Sequence, residues 1–446
     1  MTFDFYEGAA GTGKTHNLVE RAVEIVNGGA LGDGQKLLAL TFMNGARRRL
    51  DARLGEKQAF RRRFVCQTFD VFARTLAARR KSLITAAMRE QTAALNEFDG
   101  PCCLAAALLE HRMIRQWIAR TFPLVLVDEA QDLDEHRMRI LQRLSQSCRI
   151  VAAADAFQCL HDGRDIGPLI NWLESAGHTH RLIQPQRTQQ QGLLAVALAV
   201  REGRDITHAL TRSRQSQRPT WYGQGFRLVE AFATNAGIIA RTIADEISYR
   251  TGSVTILSPN TSNVTVRHAL AAVHSRTWTR NGQNFGPFPL TWDRRDIEEA
   301  DDILANIALP EIASCTELRE VLEPVAGRAP VAQILSRIDR LRRTQGQAEF
   351  TAAQIAEFVR ESVRIRSRLG IRQNRGHLAM TIQRAKNREF LNVIVVWPHA
   401  LPARASEEYL RRLLYNAVTR ARNHCTVIVL GQGRLNAPPF APLPAC

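Results

Sequence analysis

The run Phe3-Asp4-Phe5-Tyr6-Glu7-Gly8-Ala9-Ala10-Gly11-Thr12-Gly13-Lys14-Thr15 decides the fold. Phe3–Tyr6 reads as a short β-strand, Gly8–Thr15 fits GxxxxGK[ST], and Asn17–Val26 carries apolar residues at helical spacing. Strand, glycine-rich loop and helix in that order make a phosphate cradle. Glycines let successive backbone N–H groups turn inward, and the helix offers its positive N-terminal end to an anion. Gly8, Ala9, Ala10, Gly11, Thr12 and Gly13 are therefore expected to line the phosphates of a nucleoside triphosphate. Lys14 would reach the β- and γ-phosphates, and the Thr15 hydroxyl would ligate Mg²⁺. A glycine turn that happens to precede a lysine would not need a strand and a helix on the correct sides.

Working outward, Leu124-Val125-Leu126-Val127-Asp128-Glu129-Ala130-Gln131-Asp132 is a buried strand with carboxylates at its C-terminal edge, where α/β sheets place ligands. Asp128 suits Mg²⁺ held through water, and Glu129 suits orienting and deprotonating an attacking water. The plainer reading is an acidic helix start, with Asp132 capping a helix at Asp134–Leu144.

Further strands read at Leu37–Phe42 and Arg149–Ala153, with a helix at Asn44–Leu54. Alternation of strand and helix predicts an α/β fold with parallel sheets. The pattern pauses at Thr211–Pro219 and resumes in a second half with strands at Arg227–Phe232, Ser253–Leu257, Asn392–Trp397 and His424–Leu430. Ala73–Thr121 and about Asp293–Arg368 read as helical insertions, and Gly431–Cys446, with four prolines, as an irregular tail.

The 446 residues are 45% hydrophobic and 23% charged, enough for two or three domains with real cores, which excludes a disordered chain or a coiled rod. Sixty basic against forty-three acidic residues give +17, which points to a polyanionic partner; the plainer account is a solvated basic face with composition bias, since only five of the sixty are lysine. Apolar runs such as Leu193–Val200 are too short for a bilayer span, and the N-terminus has no basic leader. Eight cysteines, without a CxxC pair, suggest reduced thiols in a cytoplasmic protein rather than a disulfide framework or zinc site. No membrane association is expected.

The cradle followed by Asp128–Asp132 resembles the UvrD/Rep/PcrA-like DNA helicases of superfamily 1, in a short form with reduced accessory domains. Other segments fall into that family's order. Leu40-Thr41-Phe42-Met43-Asn44 with Ala46 and Arg49 looks like motif Ia, and Gln67-Thr68-Phe69-Asp70-Val71-Phe72 like motif Ib. Ala154-Asp155-Ala156-Phe157-Gln158 is similar to motif III and Gln186-Arg187-Thr188 to motif IV. Thr381–Phe390 looks like motif V, and Arg412–Ala421 like motif VI.

The resemblance implies two RecA-like P-loop domains, with ATP and Mg²⁺ between them and single-stranded DNA, with or without a duplex junction, across both. The first would comprise residues 1–72 and 122–184, with a helical insertion at 73–121. The second would comprise 185–290 and 371–446, with a reduced helical accessory domain at 291–370. Gln158 would couple the γ-phosphate to the nucleic-acid groove, Arg187 and Arg420 would reach that phosphate from the second domain, and Glu389 would sit near the ribose. Thr41, Asn44, Thr68, Phe69, His161, Arg164 and Thr381 would face the strand. As isolated residues, the threonines would be ordinary strand caps and Arg420 a solvated helix residue.

Several positions depart from the family. Gln186 replaces a ring-stacking tyrosine, and the segment that carries an adenine-reading glutamine would lie upstream of Met1, so ATP rests on the resemblance. His161 and Gly163 replace aromatics after motif III. Asp70 and Gln383 stand for histidines, and Asn387 for a glycine. The expected activity is an ATP-dependent 3′-to-5′ translocase or helicase. The alternative is an ATP-gated DNA sensor or clamp serving a separate nuclease in repair or phage defence, without processive unwinding.

Overall fold

Leu37–Thr41 and Leu124–Asp128 are buried at every residue, as strands covered on both faces must be. A computed structural model describes residues 3–96, 98–161, 164–207, 225–231, 235–260, 263–293, 296–327, 329–369, 377–398, 405–431 and 433–442. The stretch Thr211–Pro219, Gly163 and Phe232 lie outside them. The chain divides into two compact units: Met1–Ala272 with Thr381–Cys446, and Val273–Met380.

In the first unit, β1 (Phe3–Gly8), β2 (Leu37–Thr41), β3 (Phe64–Thr68), β4 (Leu124–Asp128), β5 (Arg149–Ala154) and β6 (His178–Leu182) form one parallel sheet. Their order is β3-β2-β4-β5-β1-β6. Alternate side chains feed two cores. Leu38, Leu40, Val125, Val127 and Ile150 join one, while Leu37, Ala39, Leu124, Leu126 and Val151 join the other. The strands β3 and β6 escape a reading of apolar runs because they are the sheet's edges: β3 is mostly half-buried, and β6 (His-Thr-His-Arg-Leu) exposes His178 and Arg181. A second parallel sheet carries β8 (Val254–Ser258), Phe390–Trp397, Ala421–Leu430 and β7 (Phe226–Ala231) in that order. The architecture is α/β with two parallel sheets, consistent with two RecA-like domains.

The helix α1 (Lys14–Asn27) begins at Lys14, ahead of its apolar spacing, because Gly13 with φ +86° turns the loop directly into helix. After α2 (Asn44–Gly55), the first insertion holds the helices Phe69–Arg79, Ala86–Thr92, Asp99–Leu108 and Arg112–Thr121. It is clasped by Arg137 in the helix Glu135–Ser145. This buried guanidinium pairs with Asp70, Asp99 and Asp134 and lies over the Phe42 ring. Asp70, in place of the family's histidine, thus has a structural partner.

Two sequence expectations are corrected. The cap of the helix Glu135–Ser145 is Asp134, whose carboxylate accepts from Arg137 N at 2.9 Å; Asp132 is buried elsewhere. The expected irregular tail is partly packed. Phe440 is buried edge-on to Trp397, and its carbonyl accepts from Ile206 N. A proline-rich composition gave no hint of that contact.

The second unit contains the helices Asp296–Leu304, Cys315–Leu322, Ala329–Gln345 and Ala352–Leu369 around a core that includes Ile303, Leu318, Ile334, Phe350 and Val359. The stretch read as purely helical also has an antiparallel pair, Ile312–Ser314 with Glu349–Thr351. Among the described residues no helix is long and apolar enough to cross a membrane.

The Arg137 clasp gives a stability prediction. Arg137→Met strands three carboxylates, each partly wet, and should lower unfolding free energy by about 2–3 kcal/mol in urea titrations. Arg139→Met, which loses only an exposed pair with Glu110, should cost under about 1 kcal/mol. Equal losses would contradict this account of the clasp.

Candidate functional site

The loop after β1 is shaped by two glycines in the left-handed region, Gly11 (φ +81°) and Gly13 (φ +86°). A Cβ on Gly11 would also stand 2.8 Å from Arg187 Cβ, so only glycine fits there. The first turn of α1 has no side-chain cap, leaving its N–H groups for an anion. Lys14 Nζ donates to Gly8 O at 2.8 Å and Ala9 O at 3.0 Å, and stands 3.9 Å from Asp155 Oδ2. Burial lowers its pKa against the pull of Asp155, Glu129 and Asp128.

The strand β4 delivers the acidic pair beside this loop. Thr15 Oγ1 donates to Asp128 Oδ2 at 2.9 Å. This joins a hydroxyl and a carboxylate, hard oxygen donors of the kind Mg²⁺ takes. Burial, and then the charge of Glu129, push Asp128 up to about 6. Burial would also raise Glu129, but Lys14 and Lys386 hold it below the usual carboxylate range. Glu129 has φ +57° and accepts from Gln131 Nε2 at 2.6 Å; Gln131 Oε1 in turn accepts from Asp155 N. One buried amide thereby ties the end of β4 to the end of β5. Among the described residues no group of three His, Cys, Asp or Glu could hold a metal ion.

Elements of the second half close the other side. Arg420, buried after the helix Glu407–Val418, donates to Gln158 Oε1 at 3.1 Å, Asn416 O at 3.0 Å and Arg388 O at 3.4 Å. Burial and the neighbouring Arg187 push its guanidinium down to about 9, so it stays charged at neutral pH. Arg187 donates to Glu389 Oε1 at 2.9 Å and Thr419 O at 2.7 Å, and Arg422 also clamps Glu389. Gln158 Nε2 donates to Asp155, which also receives Arg201 and the Tyr415 hydroxyl. Tyr415 accepts from Ala10 N at 2.8 Å, linking the loop to the second half. Lys14, Thr15, Asp128, Glu129, Gln158, Arg187, Glu389 and Arg420 all line one cavity of about 1090 Å³.

The residues expected to face a strand divide. Thr41 and Thr68 are register partners at the C-terminal ends of β2 and β3. Both are buried and locally bonded: Thr41 donates to Met43 O, and Thr68 accepts from Val71 N. Thr381 likewise caps a short helix by accepting from Arg384 N. Phe69, expected from motif Ib to face the strand, is fully buried in the first core, which leaves no face for a base. Asn44 begins α2, and its side chain lies outside the described residues. His161 and Arg164 do meet, lining a cavity of about 580 Å³ with Tyr409 and Arg412. His161 stands edge-on to Phe42, and partial burial, then Arg164 and Lys386, lower its pKa and keep it neutral at pH 7.

Sequence reasoning missed Tyr409 and Arg201, whose partners Gln383 and Asp155 lie far away in the chain, and took in Arg412 only as the start of motif VI. Tyr409 accepts from Gln383 Nε2 at 3.3 Å, so the residue in place of the family's histidine has a partner in the next helix. Lys386 was quoted only as part of motif V, yet it makes a buried ion pair with Asp132. Burial pushes Asp132 up against the pull of Lys386. Lys386→Met should destabilise by about 3–5 kcal/mol by stranding that carboxylate, and Lys386→Met with Asp132→Leu should recover most of the loss in denaturant titrations. Additive losses would mean that the pair is not coupled.

Comparisons with known proteins agree with this geometry. A family model described as an AAA domain matches residues 5–164, and one described as a UvrD-like helicase C-terminal domain matches residues 377–428. No curated protein sequence matches the chain. Among solved structures, the crystal structure of Arterivirus nonstructural protein 10 (helicase) is 10% identical with a TM-score of 0.38, over 97% of this chain and 61% of that one. This chain therefore corresponds to less than two thirds of that protein's length. The cradle-bearing segment thus matches an AAA domain and the arginine-bearing end matches the C-terminal domain of UvrD-like helicases, the two ends that a resemblance to superfamily 1 would predict.

Proposed function

We propose that the protein is an ATP-dependent translocase or helicase moving 3′ to 5′ on single-stranded DNA. The observation that carries this reading is the convergence, in one cavity, of the Lys14 loop and Thr15–Asp128 pair from one sheet with Arg187 and Arg420 from the elements of the other. In this reading Gly8–Thr15 wrap the polyphosphate, Thr15 and Asp128 hold Mg²⁺, and Glu389 lies toward the ribose. Bound Mg²⁺ would supply neutralisation of phosphate charge. Glu129, kept ionised by Lys14 and Lys386, takes a proton from the attacking water. Arg187 and Arg420 set planar guanidinium forks, charged at neutral pH, against the charge that develops on the transferred phosphoryl group.

The coupling to a strand follows the same contacts. Gln158 bonds Arg420 on one side and Asp155 on the other, and motif III continues directly to His161 and Arg164. A change at the phosphate therefore acts on the segment that lines the second cavity. Its Arg164 and Arg412, and the overall charge of +17, suit a sugar–phosphate backbone, and the Tyr409 and His161 rings suit stacking. DNA as substrate and the 3′-to-5′ direction come from the resemblance to the UvrD/Rep/PcrA-like family. The described cysteines are all free, which supports a reducing, cytoplasmic location.

Two experiments test the reading. ATP hydrolysis should rise many-fold with single-stranded DNA, vanish in Lys14→Ala and Glu129→Gln, and drop by about 10³-fold in Arg420→Ala with DNA binding retained. Hydrolysis indifferent to nucleic acid would overturn it. Binding to single strands should weaken with salt, log K falling by about 0.7 per contacted phosphate for each unit of log salt; a flat response would remove the +17 charge as the footprint. Stimulated hydrolysis without strand displacement from either overhang, with a nuclease co-purifying, would favour the sensor or clamp reading instead.

A further inference from the structure

Asn387 stands in a conformation that its neighbours do not explain. Its φ is +63°, the left-handed region that glycine adopts freely and asparagine tolerates at a cost. It is 4% exposed, and among the described residues neither its Oδ1 nor its Nδ2 has a hydrogen-bond partner. Buried side-chain amides are nearly always bonded, and a left-handed buried residue with an unmet amide carries two penalties that glycine would avoid. Yet this residue lines the same cavity as Lys14, Glu129 and Arg420.

The flanking contacts say which end of that cavity it faces. The next carbonyl, Arg388 O, accepts from the Arg420 guanidinium at 3.4 Å, and Arg420 also holds Gln158. The preceding Lys386 is fixed to Asp132, and Glu389 is taken up by Arg187 and Arg422. Asn387 is therefore pinned on both sides, beside the arginine assigned to the transferred phosphate.

We infer that the Asn387 side-chain amide donates a hydrogen bond to the terminal phosphoryl group of the bound nucleoside triphosphate, so that it helps distinguish triphosphate from diphosphate. This rests on reading the cavity as a triphosphate site. The donor is neutral and short, and complements arginines that supply charge. It also gives the left-handed backbone a purpose, since it sets an amide at the wall of the cavity where glycine would offer none.

The test is equilibrium binding of a non-hydrolysable ATP analogue and of ADP, each with Mg²⁺, to the wild type, Asn387→Gly and Asn387→Asp, alongside thermal melts. Asn387→Gly should melt no lower than the wild type, since glycine accepts φ +63°. It should bind the analogue about tenfold more weakly while ADP changes by less than about twofold. Asn387→Asp should bind the analogue more weakly still, because a carboxylate would face phosphate oxygens. Equal losses for both nucleotides, or unchanged analogue affinity in Asn387→Gly, would overturn the inference while leaving the triphosphate site standing. Failure of the wild type to bind either nucleotide would overturn both.

Discussion

A buried guanidinium without a carboxylate is the constraint on which this structure turns. Arg420 is 1% exposed, and among the described residues its donors reach only neutral acceptors: Gln158, Asn416, Arg388 and Thr419. Lys14, across the cavity, is hydrogen-bonded to two carbonyls and stands only 3.9 Å from the Asp155 carboxylate, its nearest opposite charge. Burying a charge is expensive unless it is paired, and an opposite charge shared by both groups is the arrangement that relieves it. A polyphosphate has the length and charge to do so. The two carboxylates beside it, Asp128 and Glu129, are divided by environment, the first pushed up to about 6 and the second held below the usual carboxylate range.

The rest of the fold can be understood as scaffolding for that arrangement. Parallel strands covered on both faces place the ends of β1, β4 and β5 side by side, so the loop, the acidic pair and Asp155 emerge together. Gln131 and Tyr415 then tie these ends to one another and to the second half through a few buried hydrogen bonds. Rigid elements of this kind fix catalytic groups more precisely than loops can. In the proposed reading they would also transmit displacement, since Gln158 is bonded to both Arg420 and Asp155 and leads on toward His161.

The sequence made the chemistry of this site legible where it is local. Gly8–Thr15 and Leu124–Asp128 each contain strand, ligand and following turn within a few residues, so their spacing alone carries the reading. What stayed hidden was long-range. The partners of Tyr409, Lys386 and Asp70 lie on other elements, and no local pattern names them. Polarity misled at the edges, where His178–Leu182 forms a strand despite its composition, and aromaticity misled at Phe69, which serves the core. The sequence flagged Asn387 as a departure from glycine, but only its φ and its unmet amide reveal why the departure matters.

The most direct test of the central claim is a crystal structure with a non-hydrolysable ATP analogue and Mg²⁺. The account predicts a terminal phosphate held by Lys14 from one side and Arg420 from the other, with Asp128 and Thr15 at the metal. A polyphosphate bound by the glycine-rich loop alone, with Arg420 still turned to Gln158 and remote from the ligand, would contradict it.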